Sequence, residues 1–294
     1  MPPLAPRIAR FVAVALALAV AFVGDPGSAV AGAWVQPENR GYFRLAYFGM
    51  DSRTRYDENG ERVGLYTSSG GSRPVEYGDR EVRGYGEYGI SPRVTAYGSI
   101  TWKQVQNRQP TAVFETTGSG DLHLGGRVAL RTGLVPLAAA LELKLPTAYD
   151  ETVAPALGSG SVDGVVRFLA GTSWGWGYTT YDVGYSMRGG GYRDEGLYSG
   201  EVGSRLVGPI YTRAVARGIV SLGSGKSEEA ANRDVFDPGV ASPRSLTISG
   251  VLGFDLGNGL ALEGSFEHAA PGRDTLAGNG VEIGLAWNGF LRPR

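Results

Sequence analysis

A chain of 294 residues with no cysteine, 28 basic and 29 acidic side chains and 47 glycines excludes several classes of protein at once. Without a thiol there is neither a disulfide scaffold nor an acylated lipoprotein, and the balanced charge offers no basic face for nucleic acid. Glycine at this level opposes a helical fold, because each interior glycine costs a helix about 1 kcal/mol.

The first segment reads as an export signal. Arg7 and Arg10 precede the apolar run Phe11–Val23, a Gly24-Asp25-Pro26-Gly27-Ser28 breaker follows, and Ala29-Val30-Ala31 supplies a cleavage site. The run falls short of the ~20 residues that a membrane-spanning helix requires. Residues 1–31 are therefore expected to be a cleaved Sec signal peptide. Its loss leaves 26 basic and 28 acidic residues.

Beyond an exposed periplasmic stretch at 32–40, the chain divides into twelve runs of alternating apolar and polar residues. Their expected spans are 41–50, 81–90, 94–103, 121–131, 137–145, 161–172, 178–188, 197–206, 210–222, 244–256, 260–270 and 280–290. In 137–145, Leu137, Ala139, Leu141, Leu143 and Leu145 share one parity while Glu142 and Lys144 share the other, which favours a strand over a helix. The connections alternate between short (91–93, 132–136, 173–177, 207–209, 257–259) and mostly much longer (51–80, 104–118, 146–160, 189–195, 223–243, 271–279). A membrane β-barrel sorts its turns in this way. The expected fold is all-β, a transmembrane antiparallel up-and-down β-barrel of about twelve strands at 41–290 with a tail at 291–294. A hairpin within 51–80, turned at Asp57-Glu58-Asn59-Gly60, would make fourteen.

Charge decides which face points inward. Lys or Arg facing lipid costs about 2–4 kcal/mol at the bilayer midplane, so mid-strand charges belong in the lumen. The expected lining is Arg83, Glu87, Lys103, Asp121, Arg127, Arg131, Glu142, Lys144, Asp163, Arg167, Glu201, Arg205, Arg213, Arg217, Glu263, Glu267 and Glu282. Arginines concentrate on the fourth, sixth, eighth and ninth runs, glutamates on the second, eleventh and twelfth. Two opposed half-walls of charge follow, giving a field across a narrow solute path. The competing arrangement is a salt-bridge ladder that plugs the barrel and leaves a structural or surface-interaction protein with contact loops 51–80 and 223–243.

No catalytic constellation emerges. Ser265 and His268 fall on opposite parities, and a base must lie within about 2.6–3.2 Å of its nucleophile. His123 beside Asp121 reads as a polar lining residue. Two histidines and no cysteine offer little for a transition metal, acidic loop residues such as Asp57 and Asp150 lack calcium-loop spacing, and no cofactor motif is present. The chain is read as a non-enzyme without cofactor.

Short motifs carry a resemblance. Gly32-Ala33-Trp34-Val35-Gln36-Pro37, Gly118-Ser119-Gly120-Asp121-Leu122, Leu143-Lys144-Leu145-Pro146-Thr147 and Leu157-Gly158-Ser159-Gly160 are similar to those of a family of outer-membrane transporters named by analogy with the meta-pathway phenol-degradation barrel proteins. The resemblance spans most of the mature chain. It implies a transporter barrel in the outer membrane of a Gram-negative bacterium, passing a small aromatic or hydrophobic compound, and supplies no catalytic residue. The Asn-Pro-Ala signature of the fatty-acid-channel branch is absent. Expected partners are outer-membrane lipid and lipopolysaccharide, the solute, and the outer-membrane assembly machinery through a terminal strand ending at Phe290.

Overall fold

The computed structural model describes residues 32–66, 73–150, 152–223 and 244–290. The expected signal peptide, most of the 223–243 loop and the 291–294 tail lie outside these. The described residues contain no helix. Twelve strands close into an antiparallel barrel: β1 (Arg40–Ser52), β4 (Glu76–Ser91), β5 (Val94–Gln109), β7 (Leu122–Arg131), β8 (Leu137–Leu145), β9 (Asp163–Trp174), β10 (Gly177–Met187), β11 (Asp194–Val207), β12 (Ile210–Leu222), β13 (Arg244–Gly257), β14 (Leu260–Arg273) and β16 (Asn279–Phe290). Closure occurs at β1, where Arg44 faces Ala286 of β16 on one side and Tyr85 of β4 on the other.

Alternation sets the two faces. In β8, Leu141 is 68% exposed on the outside while Ala138 and Ala140 are 1% and 4% exposed on the inside. The outer apolar band ends sharply at the long-loop side. Tyr47, Val82 and Trp102 sit level on β1, β4 and β5, and the next outward positions are Gly49, Arg80 and Gln104. At the opposite end Trp174 and Trp176 lie 5.2 Å apart and Phe43 stacks on Trp287 at 6.0 Å. Aromatic rings bounding an apolar band are the mark of a barrel wall built for lipid. The tight turn at Asn258-Gly259 holds both residues at positive φ, 53° and 79°, as a two-residue hairpin of matching twist requires.

Four further strands stand above the band. The 104–118 segment, expected to be a loop, instead extends β5 and returns as β6 (Ala112–Ser119). β6 and β7 follow one another along the same edge of β5, with the register stepping by one residue between Trp102↔Ser119 and Ser99↔His123. A hairpin does form within 51–80, as β2 (Thr54–Tyr56) and β3 (Arg62–Gly64), but it pairs with β15 (Thr275–Leu276) and stays out of the wall. The wall is thus uneven: β4 and β5 run sixteen residues each, β8 only nine.

Candidate functional site

The inward faces carry a dense ionic network. Arg44 of β1 donates to Glu263 of β14 at 2.8 Å and to Glu282 of β16 at 2.6 Å. Arg213 of β12 reaches Glu263 at 2.7 Å and Glu201 of β11 at 3.8 Å. Arg83 binds Glu81, Glu282 and Glu267 at 2.6, 3.1 and 3.5 Å, and Lys103 lies 3.0 Å from Glu81. Across the lumen floor, Arg127 of β7 pairs with Glu87 of β4 at 2.9 Å, both buried. Arg167 pairs with Asp182 at 2.7 Å, and Lys144 with Asp163 at 2.6 Å and Asp121 at 3.4 Å.

The expected half-walls of opposite charge are broken up, because Arg44, Arg83, Arg127, Arg167 and Arg213 each find a carboxylate one or two strands away. These pairs interleave both signs around the lumen, seven cations with nine carboxylates. Three expected lining residues stand apart. Arg131 lies beyond a β-bulge at Ala129, opposite Leu137 on the outer-face parity, and is exposed at the rim; one extra residue flips every side chain that follows. Arg205 sits at the short-turn rim, 3.8 Å from Asp255 and bonded to the Gly208 carbonyl. Arg217 faces the lumen and makes no ion pair among the described residues. His123 bonds through Nδ1 to Glu142 at 2.8 Å instead of Asp121, since register places Glu142 on the neighbouring strand. Asp121 accepts from the Tyr149 hydroxyl.

Above the network lies a cavity of about 460 Å³. Tyr77, Val105, Leu157 and Leu276 give it an apolar side; Ser99, Thr101, His123 and Lys144 give it a polar floor. Ala156, Leu157, Gly158 and Ser159, from the loop after β8, turn inward to line it. Leu157 of that loop packs with Leu65, Val75, Tyr77 and Val105 into one buried apolar cluster. Thr147 donates to the Ser119 carbonyl at 3.0 Å, and Gly118 is open to Leu157, whose Cδ1 lies 2.9 Å from where a Cβ would stand. Among the described residues, this apolar cluster lies inside the long-loop end of the barrel and covers one side of the cavity.

The short-turn end is filled differently. Gly32–Asn39, expected to be exposed, runs inside the barrel from β10 to β4. Ala33 is 1% exposed and packs on Ala138, Ala140 and Leu169. Trp34 meets Tyr178 edge-on at 6.0 Å. Gln36 is fully buried: its amide N–H donates to Thr95 Oγ1 at 2.7 Å and its Nε2 to Glu87 at 3.0 Å, while its Oε1 has no partner. Each bond contributes about 0.5–1.5 kcal/mol, and the unpaired oxygen offsets about 1–3 kcal/mol of that gain. Sequence reasoning missed this strap. Its signal was the apolar pair Ala33-Trp34 ahead of the first strand, an uncomfortable pattern for a solvated tail.

No family model and no curated protein matches the chain. Solved structures do. An outer membrane channel from Pseudomonas putida F1 aligns with a TM-score of 0.63 and 13% identity, covering 90% of this chain and 99% of its own. The NanC porin aligns at 0.50 with 9% identity over 83% of this chain and 98% of its own. A TodX monoaromatic hydrocarbon channel mutant aligns at 0.49 with 8% identity over 87% of this chain and 91% of its own. The fold is that of an outer-membrane β-barrel.

Proposed function

We propose that the chain is a passive channel of the Gram-negative outer membrane, its short turns in the periplasm and its long loops outside. It would be exported by the signal at 1–31, and the solute would be small and poorly soluble, aromatic or otherwise hydrophobic. The observation that carries the reading is the 460 Å³ cavity, half apolar and half polar, inside a wall built for lipid and between the Leu157 cluster and the N-terminal strap. A merely structural barrel gains nothing from such a void, since unfilled space forfeits packing contacts. Passage over the polar floor needs no gradient of charge, because the lining interleaves both signs. The named likenesses to an outer membrane channel and a porin agree with this role, and no step of catalysis is needed.

Single-channel recording of the mature protein in planar bilayers tests the reading. Discrete openings are expected in wild type. Arg213→Ala removes the cation between Glu201 and Glu263, leaves Glu263 to Arg44, and should shift the reversal potential toward cation selectivity. A folded protein that never conducts, and passes no solute into liposomes, would overturn it. The second reading, a plugged barrel serving surface contacts, is favoured by one observation: Arg44, Arg83 and Arg213 knit β4, β1, β16, β14, β12 and β11 into a continuous ionic web through the lumen. Silence in both assays with loop-dependent binding would select it.

A further inference from the structure

We infer that Gly32–Asn39 is the gate at the periplasmic end, swinging out as one piece while the barrel wall stays as it is; the inference rests on the channel reading above. Three features set this strap apart from a permanent plug. First, it forms no strand pairing with the wall. Apart from the anchor at Asn39, its hydrogen bonds to the wall among the described residues are two, both from Gln36, to Thr95 and Glu87. Second, the wall is complete without it. Glu87 keeps Arg127 at 2.9 Å and Tyr85 at 2.5 Å when Gln36 leaves, so no buried charge is orphaned. Thr95 then turns its hydroxyl to water. Third, the strap has one fixed end and a turn beside it. The Arg40 N–H donates to the Pro37 carbonyl at 3.0 Å, Asn39 sits at φ 62°, and the Asn39 N–H is held by the Gly89 carbonyl at 2.9 Å.

The seat is shaped for the strap in its closed position. A Cβ on Gly89 would stand 2.1 Å from the Pro37 carbonyl oxygen, and one on Gly171 would stand 2.8 Å from the Trp34 ring. Ala138 and Ala140 leave room for Ala33. A seat cut from glycine and alanine accepts the strap without gripping it, and once vacated it presents small side chains to a passing solute. The partnerless Oε1 of Gln36 regains water on opening. The closed state is thus held by shape and two hydrogen bonds, and the open state exposes no unpaired ion.

The chain has no cysteine, so a thiol placed under the strap reports its departure. The experiment follows the reaction of Ala138→Cys with a charged methanethiosulfonate reagent in the folded mature protein, with heat-modifiable mobility as the check of folding. Ala286→Cys, equally inward-facing and buried but on β16 away from the strap, is the control. Gln36→Ala should speed the Ala138→Cys reaction at least tenfold, deletion of residues 33–36 should speed it further, and Ala286→Cys should not change. An unchanged Ala138→Cys rate in the deletion variant, or parallel acceleration of both thiols, would overturn the gate. Bilayer recording on the same variants separates the two readings. Faster labelling with raised conductance supports both. Faster labelling without conductance or solute flux defeats the channel reading and the gate with it. Unchanged labelling in a wild type that conducts defeats the gate alone.

Discussion

The two ends of the barrel are filled by opposite chemistry. At the long-loop end, Leu65, Val75, Tyr77, Val105 and Leu157 arrive from separate stretches of chain and bury one another. Each fully buried side chain of this size contributes about 1.5–3 kcal/mol, and none can leave without uncovering its neighbours. At the short-turn end, eight residues rest on alanines and glycines and are keyed by two directional bonds. A closure of shared apolar surface opens cooperatively or not at all, whereas one held by a few polar contacts opens locally. The difference assigns the slow, costly transition to the loops and the rapid one to the strap.

Both closures hang on the same frame, so the sharpest way to break the comparison is to break the frame. Glu263 accepts from Arg44, Arg213 and Tyr211 while almost fully buried. Glu263→Ala removes three bonds at once, leaving Arg44 to Glu282 and Arg213 to Glu201 at 3.8 Å, and should cost about 3–5 kcal/mol, as buried pairs do on losing one partner. Urea unfolding in detergent micelles checks this. A loss under 1 kcal/mol would mean that water already screens the network. Arg205→Ala, at the exposed rim, should fall within the ~0–1 kcal/mol of a surface pair.

Next in size is the loop plug. Leu157→Ala should destabilise the closed loops by about 2–5 kcal/mol, the range of buried leucine truncations. It should raise open probability in bilayer recordings and leave the Ala138→Cys labelling rate as it is. If labelling under the strap rises with it, the two ends are one cooperative unit and the contrast drawn above fails. Thr95→Ala probes the other side on a smaller scale. It removes the acceptor of the Gln36 amide, so hydrogen exchange at that amide should quicken about tenfold, equivalent to about 1.4 kcal/mol, with the Leu157 amide unaffected.

The barrel itself was legible because lipid imposes a strict rule on alternate residues. The parity of Leu141 against Glu142, or of Ser265 against His268, follows from that rule alone, and turn lengths sort the connections between the two ends. What parity cannot give is which carboxylate an arginine meets. Arg213 lies on β12, yet its shorter bond goes to Glu263 two strands away, a choice made by side-chain length and barrel curvature. Nor does parity survive a bulge, which is why Arg131 changed faces. The strap and the inward loop were hidden for another reason. Gly32–Asn39 and 146–162 have no period, and their burial depends on a cavity that exists only once twelve distant strands have closed. Leu157 and Gln36 therefore look like loop residues until the seat that receives each is in place.

The smallest expected effect sharpens the contrast by its absence elsewhere. Asp150 opens the inward loop with a turn in which its Oδ1 accepts from the Thr152 hydroxyl at 2.6 Å and from the Thr152 N–H at 2.8 Å. The hydroxyl bond first, and then the amide bond, hold its carboxyl below the ordinary 3.8. A depressed folded-state pKa contributes stability that is complete above the unfolded value and is lost as pH falls through the lower folded value. The turn should therefore stay formed down to about pH 4 and loosen only below it, followed by the Thr152 amide shift in an NMR titration of the micelle-bound protein. Thr152→Val removes the larger cause and should move the midpoint up toward 3.8. A wild-type midpoint at or above 3.8 would mean that the turn is not formed in solution. Because the carboxyl is fully exposed, its protonation uncovers no apolar surface. The Leu157 cluster should thus ride through the same titration unchanged, which is the behaviour expected of a closure whose strength lies in buried hydrocarbon and not in the polar turn that leads to it.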